Sequence, residues 1–336
     1  MTGPRIAVIG AGFMGARWAR VIAESGHAEL AIIADLDEAT GRAVADEFGA
    51  QWSAEPLEAA SDEQIDGVVV ATPEHLHAEV TLAAIAHDKV VAVEKPLAHT
   101  VDEAQRIADA AAQAGVPVLA GHVLRFEPRY AAIRAAIERG EIGQVQAIRS
   151  ERVGLIADQQ ILQGRTTIAL YYGVHEFDLA RWYAGDVAEV WATRSTGVVA
   201  AHGYDVDDLY SVGLRFSDGA HGTSMVGWCL PSSVASYGLS GFTVIGDQGI
   251  LKISQNDTGY VKVGADGPVH DDVHYSPIVH GRIRGAVANE VEHFIDCVRG
   301  IAEPICTAND GAAAVRVALA MERSADTHAA VTIDPP

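Results

Sequence analysis

Two residues of this 336-residue chain have types and settings suited to chemistry at a substrate hydroxyl, one as a hydrogen-bond donor and one as a proton carrier. Lys95 lies in "VVAVEKPLA", at the end of a β-branched run, and His175 lies in "IALYYGVHEFDLARWYAG". A lysine held at a strand terminus can hydrogen-bond a substrate hydroxyl and steady the alkoxide that develops there. A histidine, with an ordinary pKa of about 6.5, can accept a proton near neutrality and give it back. At about 100° per residue, Tyr171, His175, Asp178 and Trp182 fall within roughly 60° of one another on a helical wheel. An aromatic and titratable face of that kind suits a substrate pocket. The same types also serve as a solvated loop lysine and as a structural histidine beside a tryptophan.

A third group points to a cofactor. "RIAVIGAGFMG" runs from a strand into Gly10, Gly12 and Gly15 at G-x-G-x-x-G spacing, and a helical stretch follows. The first glycine permits a tight turn, the second a close backbone approach to a pyrophosphate, and the third close helix-on-strand packing. Asp35 ends the second strand, 20 residues past Gly15, where a carboxylate accepts from a ribose diol. Leu36 and Asp37 follow it, with no adjacent arginine for a 2′-phosphate, so NAD is expected and NADP is less suited. "ATPEHLH" closes the third strand and "VEKP" the next. The expected cofactor-binding set is therefore Gly10, Gly12, Phe13, Met14, Gly15 and Asp35, joined at the same sheet edge by Thr72, Pro73, His77, Glu94 and Lys95. His75 and His77 form an H-x-H pair without a third ligand at recognisable spacing, and no metal is expected.

These residues need a sheet to hold them. From residue 5 to residue 122, "RIAVIG", "LAIIAD", "GVVVATP", "VVAVEKP" and "VPVLAGH" alternate with Ala-rich helical stretches, which predicts a parallel sheet with crossover helices. "AHTVDEAQRIADAAAQAG" has Thr100 and Glu103 as a capping box and Gly115 as a stop. Beyond "FEPRYAAIRAAIERGEIG" the pattern becomes alternating strands: "VQAIRSERVG", "VAEVWATRSTG", "DLYSVGLRFSDGAHGTSMVGW", "GFTVIGDQGILKIS" and "YVKVG". Helices are expected at "RGAVANEVEHFIDCVRG" and around "GAAAVRVALAMERSA". The fold class is α/β: a dinucleotide-binding domain over 1–122, and a second α/β domain over 123–336 with a large, mostly antiparallel sheet. One face of such a sheet needs covering, so homo-oligomers are expected.

Composition narrows the partners. There are 24 Lys and Arg against 45 Asp and Glu, a formal net charge of −21, which repels nucleic-acid backbones and anionic lipid. No apolar run approaches the roughly 20 residues that span a bilayer. Cys229, Cys297 and Cys306 are too few and too irregularly spaced for a disulfide framework or a Cys-based zinc site. "MTGPRIAVIGAG" enters a strand at once, without the regions of a signal peptide, and a reducing cytoplasm is expected.

With "GAGFMG", "ATPEHLH", "EKP", "GHVLRFEP" and "HEFDLARWYAG" in this order, the chain resembles the glucose-fructose oxidoreductase, inositol dehydrogenase and rhizopine catabolism (Gfo/Idh/MocA) family of NAD(P)-dependent oxidoreductases over essentially its full length. The resemblance implies a Rossmann domain followed by an α/β domain that commonly builds dimers or tetramers. It implies Lys95 and His175 as catalytic residues, with Asp178 as the D of H-x-x-D; Tyr171, one turn before the histidine, completes the expected catalytic set, and Asp178 is expected in a supporting role, pairing with Arg181 on the same helix. Substrate contacts are expected from Lys95, His122, Arg165, Tyr171 and His175, while Arg125 is expected to be structural. The implied reaction interconverts a secondary alcohol and a ketone on a sugar or an inositol-like cyclic polyol. Family members that oxidise cyclic polyols usually carry Asp four residues before the histidine, where this chain has Tyr171. Glycoside cleavage through transient oxidation, reduction of keto sugars and cofactor sensing without turnover are alternatives within the same resemblance.

Overall fold

A computed structural model describes residues 3–234, 238–254, 259–264, 267–269 and 271–334. The chain forms two compact units, one of residues 1–128 and 274–315 and the other of residues 129–273 and 316–336. Neither unit is contiguous. The stretch 274–315 packs with the N-terminal sheet, which a single cut at 122/123 does not anticipate.

The first unit opens with β1 (Arg5–Ile9), α1 (Phe13–Ser25), β2 (Glu29–Ala34), α2 (Glu38–Phe48), β3 (Gln51–Ser53), α3 (Pro56–Ser61), β4 (Gly67–Val70), α4 (His77–Ile85), β5 (Val90–Glu94), α5 (Val101–Ala114) and β6 (Val118–Gly121). The strands form one parallel sheet in the order β3-β2-β1-β4-β5-β6. The order reverses direction between β1 and β4, where doubly wound sheets bind ligands at the strands' carboxyl ends. The continuous apolar runs have the physical cause expected of a sheet covered on both sides: Val8, Ile9, Val68, Val69, Val91 and Ala92 have no exposed surface. Thr100 caps α5 by accepting from the Glu103 amide, and Gly115 ends it in the left-handed conformation at φ 68°. The three-residue β3 is the one strand here without a run long enough to read.

The chain continues through α6 (Pro128–Glu138), β7 (Val145–Leu155), α7 (Gln159–Leu162), a π-helical turn (Ala169–Gly173), α8 (Val174–Ala184), β8 (Val187–Ser195), β9 (Leu209–Phe216), β10 (His221–Leu230), β11 (Leu239–Gly246) and β12 (Ile250–Ser254). Short strand pairs follow, β13 (Lys262–Gly264) with β14 (Gly267–Val269) and β15 (Ile278–Val279) with β16 (Arg282–Ile283). The chain closes with α9 (Ala286–Val298), α10 (Ala308–Thr327) and β17 (Val331–Thr332). The second sheet runs β12-β11-β7-β10-β9-β8-β17, antiparallel except for the β7/β10 pair.

Alternation sorts this second sheet into two faces. Val190, Ala192, Tyr210, Val212, Leu214, Val226, Ile148, Phe242 and Val244 are buried. Their neighbours Trp191, Met225 and Ile245 are 51%, 38% and 40% exposed. In the first unit α9 explains its own placement: Val287, Val291, Phe294 and Ile295 are buried, and Phe294 meets Trp18 of α1 edge-on at 5.7 Å. No described helix is long and apolar enough to cross a membrane.

Candidate active site

The glycine-rich turn has the geometry its spacing predicts. Gly10 has φ 96°, and a Cβ there would lie 2.5 Å from the Ala71 carbonyl oxygen beyond β4. A Cβ on Gly15 would lie 1.8 Å from the Gly10 oxygen, so only glycine lets α1 cross β1 this closely. At Gly12 a Cβ would meet nothing within 4 Å. Gly12 caps α1 without a side-chain acceptor, and the first turn carries no acid, so the positive end of the helix is left for an anion. Asp35 accepts from the Ala11 amide at 2.7 Å and from the Asp37 amide at 2.8 Å, which fixes its carboxylate beside the turn. Asp37 caps α2 by accepting from the Thr40 amide at 2.8 Å, and that bond holds its carboxyl below the usual range. Phe13 is 67% exposed under the Arg17 guanidinium, and Met14 is half-buried. An open backbone approach, an uncapped helix end and a fixed carboxylate together fit a pyrophosphate and a ribose diol.

The next two loops differ in part from the expected set. Thr72 is half-buried and Pro73 exposed, both at the β4 edge. His77, expected to line the cofactor, is instead 1% exposed, with Nδ1 2.8 Å from the Pro96 oxygen and Nε2 2.9 Å from the Thr72 oxygen. Glu94 is also buried rather than presented, and accepts from Trp18 Nε1 at 2.9 Å. Burial raises its pKa, opposed by the Trp18 bond and by the Lys95 charge. Lys95 is half-buried, and its peptide bond to Pro96 is cis. His122 is 1% exposed at the end of β6. Arg125 is 4% exposed, donates to the Ile305 oxygen at 2.8 Å and lies 3.5 Å from Asp310, a structural placement.

In the second unit, Tyr171 and His175 do not lie on one α-helix. Residues 169–173 form a π-helical turn in which the Val174 amide bonds the Ala169 oxygen five residues back, and His175 is the second residue of α8. The wider turn displaces Tyr171 from the place a 3.6-residue wheel gives it. Its ring meets Tyr172 edge-on at 4.8 Å and Trp228 at 6.0 Å. Trp228 is fully buried and donates to the Asp207 oxygen at 2.7 Å, while Tyr172 donates to Asp158 at 2.6 Å. Burial and the Asp158 carboxylate push the Tyr172 phenol well up, which keeps it neutral.

Glu176, next to His175, is 1% exposed and accepts from Arg152 Nε at 2.6 Å. Burial raises the Glu176 pKa against the pull of Arg152, and the pair ties the first turn of α8 to β7. His175 is half-buried on that anchored turn, and Asp178 is buried behind it. Arg181, expected to pair with Asp178, bonds Asp186 at 2.6 Å. Arg165 is exposed on the turn after α7. A cavity of about 440 Å³, lined by Thr167, Ile168, Thr196, Gly197, Asp205 and Asp207 among others, adjoins the start of the π-helical turn. Arg152, Asp158, Tyr172 and Trp228 were not among the expected residues. The first two lie in "ERVGLIADQQILQGRTT", whose polar residues among strand-like ones are the only local signal.

A doubly wound parallel sheet, with this glycine turn and carboxylate at its switch point, defines a dinucleotide-binding module. Residues 4–122 match the model of the oxidoreductase family with an NAD-binding Rossmann fold (GFO_IDH_MocA), and residues 134–333 match that family's C-terminal alpha/beta domain. The chain belongs to this family, and its cofactor is NAD. It is 32% identical over 219 residues to an uncharacterized oxidoreductase of Streptococcus pneumoniae, an alignment spanning 63% of this chain and 59% of that protein. It is 28% identical over 334 residues to the scyllo-inositol 2-dehydrogenase (NAD(+)) of Bacillus subtilis, spanning 95% of this chain and 93% of that one. A solved myo-inositol dehydrogenase from Corynebacterium glutamicum superposes with a TM-score of 0.82 at 25% identity, covering 99% of this chain and 100% of that chain.

Proposed function

We propose that this protein oxidises, reversibly and with NAD, a secondary alcohol on a sugar or cyclic polyol of the inositol type. The observation that carries this reading is the alignment, over 95% of the chain, with a relative named as an NAD-dependent scyllo-inositol 2-dehydrogenase. The presence of Lys95 and His175, the two residues suited to chemistry at a substrate hydroxyl, agrees with it.

NAD supplies the hydride acceptor. Lys95 donates a hydrogen bond to the carbinol oxygen, and His175 takes the hydroxyl proton as the carbon gives up its hydride, leaving a ketone and NADH. In the reverse direction His175 returns that proton. Tyr171 donates from its phenol to the same oxygen, in the place where the family resemblance implies a carboxylate. His122 and Arg165 are assigned to substrate binding. The Glu176–Arg152 pair holds the turn bearing His175, which makes both of them positioning residues.

Assembly belongs to the same reading. The exposed face of the second sheet carries Trp191, Met225 and Ile245, the first two lining a trough of about 460 Å³ that includes Arg149, Glu151 and Gly213. Apolar residues ringed by opposite charges suit a self-complementary contact, so a homodimer or homotetramer is expected. A panel of inositols, aldoses and glycosides, followed by NADH absorbance and by product analysis, tests the chemistry. NADH formed with a cyclic polyol or free sugar is expected, whereas a sugar released from a glycoside without net NADH would assign a hydrolase.

A further inference from the structure

His77 is the first residue of α4, and its ring sits between two backbone carbonyls that belong to different loops. Nδ1 is 2.8 Å from the oxygen of Pro96, the residue after Lys95, and Nε2 is 2.9 Å from the oxygen of Thr72, just beyond β4. Both loops lie at the carboxyl edge of neighbouring parallel strands. A carbonyl oxygen only accepts. A neutral imidazole has one N–H and one lone pair, so it satisfies one carbonyl and turns a lone pair towards the other. Only the imidazolium donates to both.

The surroundings oppose one another. Burial, the largest influence, outweighs the two carbonyls and the Glu74 carboxylate and, with the Lys95 ammonium, holds the ring's pKa below the ordinary histidine value. Glu74 faces the ring from the turn before α4, and Lys95 from the loop after β5. Glu74 is itself 8% exposed, so its charge is poorly screened.

We propose that His77 is a positioning residue, a strap that ties the Thr72 loop to the loop carrying Lys95 and closes its second hydrogen bond when the ring takes up a proton. The strap fixes the backbone on which Lys95 stands, and so acts on the reaction only through that lysine. Its consequence for turnover rests on the role assigned to Lys95 above; the strap itself is a property of the first unit.

The test has two arms, both on the full chain with NAD bound. In the first, ring nitrogen NMR of histidine-labelled protein, with His77 assigned by the signal lost in His77→Gln, reads the strap directly. Because the ring's pKa is lowered, two bonded ring N–H signals are expected at pH 5 and one at pH 8, whereas a ring with one N–H at both pH values would overturn the proposal. In the second arm, kcat is compared at saturating NAD and substrate. His77→Ala should lose about 10-fold, the scale of one hydrogen bond, with the Kd for NAD changed by less than about 3-fold. His77→Gln, which keeps a donor group and does not titrate, should recover most of that loss at pH 8 but fall behind the wild type by a further factor of about 3 at pH 5. A folded His77→Ala enzyme with wild-type kcat, or a wild-type to His77→Gln ratio unchanged between pH 8 and pH 5, would contradict the strap. If the wild type turns over no polyol or sugar, the substrate reading fails, and the ring signals still decide the strap.

Discussion

Tyr171 stands where the family resemblance implies a carboxylate, and a phenol can do less there than a carboxylate would. It donates a hydrogen bond but carries no charge to balance an imidazolium. Tyr171→Phe is therefore expected to lower kcat by about 10-fold to 100-fold, the size of one hydrogen bond to developing charge. His175→Ala and Lys95→Ala should each lose most turnover while still binding NAD by calorimetry. Unchanged turnover in Tyr171→Phe would take the phenol out of the mechanism. At this scale the glycine turn and Asp35 were legible because residue type itself carries them: Gly10 at φ 96° and the close approach of Gly15 to the Gly10 oxygen suit glycine, and Asp35 meets the Ala11 amide within one βαβ unit. His77 was not, because its partners are backbone oxygens 5 and 19 residues away, and any residue type supplies those.

Elements add what the side chains alone do not show. The 3.6-residue period of "IALYYGVHEFDLARW" reads as one helix, but its first turn is π-helical, and a wide turn leaves no mark in residue type. What holds the next turn is the Arg152–Glu176 pair. Arg152→Ala leaves an unpaired carboxyl in the core and should cost about 3–5 kcal/mol in denaturant unfolding. An effect below about 1 kcal/mol would mean that the pair does not anchor α8.

A second buried carboxyl, Glu290 of α9, has no exposed surface, and neither of its oxygens has a hydrogen-bond partner among the described residues. Burial first, and then the nearby Glu94 carboxylate, raises its pKa well above the ordinary glutamate value. The folded state therefore holds a proton that the unfolded chain releases, so its contribution to stability is fully present below the ordinary glutamate pKa of about 4.3 and is lost as pH rises through the raised value. Glu290→Gln should raise the Tm at pH 8 more than at pH 5. An equal shift at both pH values would place the ionisation elsewhere.

The whole molecule is divided in a way the linear order of elements conceals. Strand alternation after residue 123 was readable, and so was the apolar period of "VANEVEHFIDCV". Which sheet that helix serves was not, because an apolar stripe says that a face is buried and not against what. The open face of the second sheet is the feature that acts at this scale. Trp191→Glu places a charge on it and is expected to shift light scattering at micromolar concentration towards the monomer, with the far-UV spectrum unchanged. A wild type that is already monomeric would contradict the assignment of this face to a second copy.

The central claim is that a hydride leaves a carbinol carbon of a polyol or sugar for NAD while His175 takes the hydroxyl proton. Its most direct test is single turnover of the NAD complex with inositols deuterated at the ring carbons, reading both the rate and the isotope content of the NADH formed. The account predicts one deuterium in each NADH, a slower transfer from the deuterated substrate, and loss of the burst in His175→Ala with NAD still bound. NADH free of deuterium, or no NADH from any inositol or sugar tried, would contradict it.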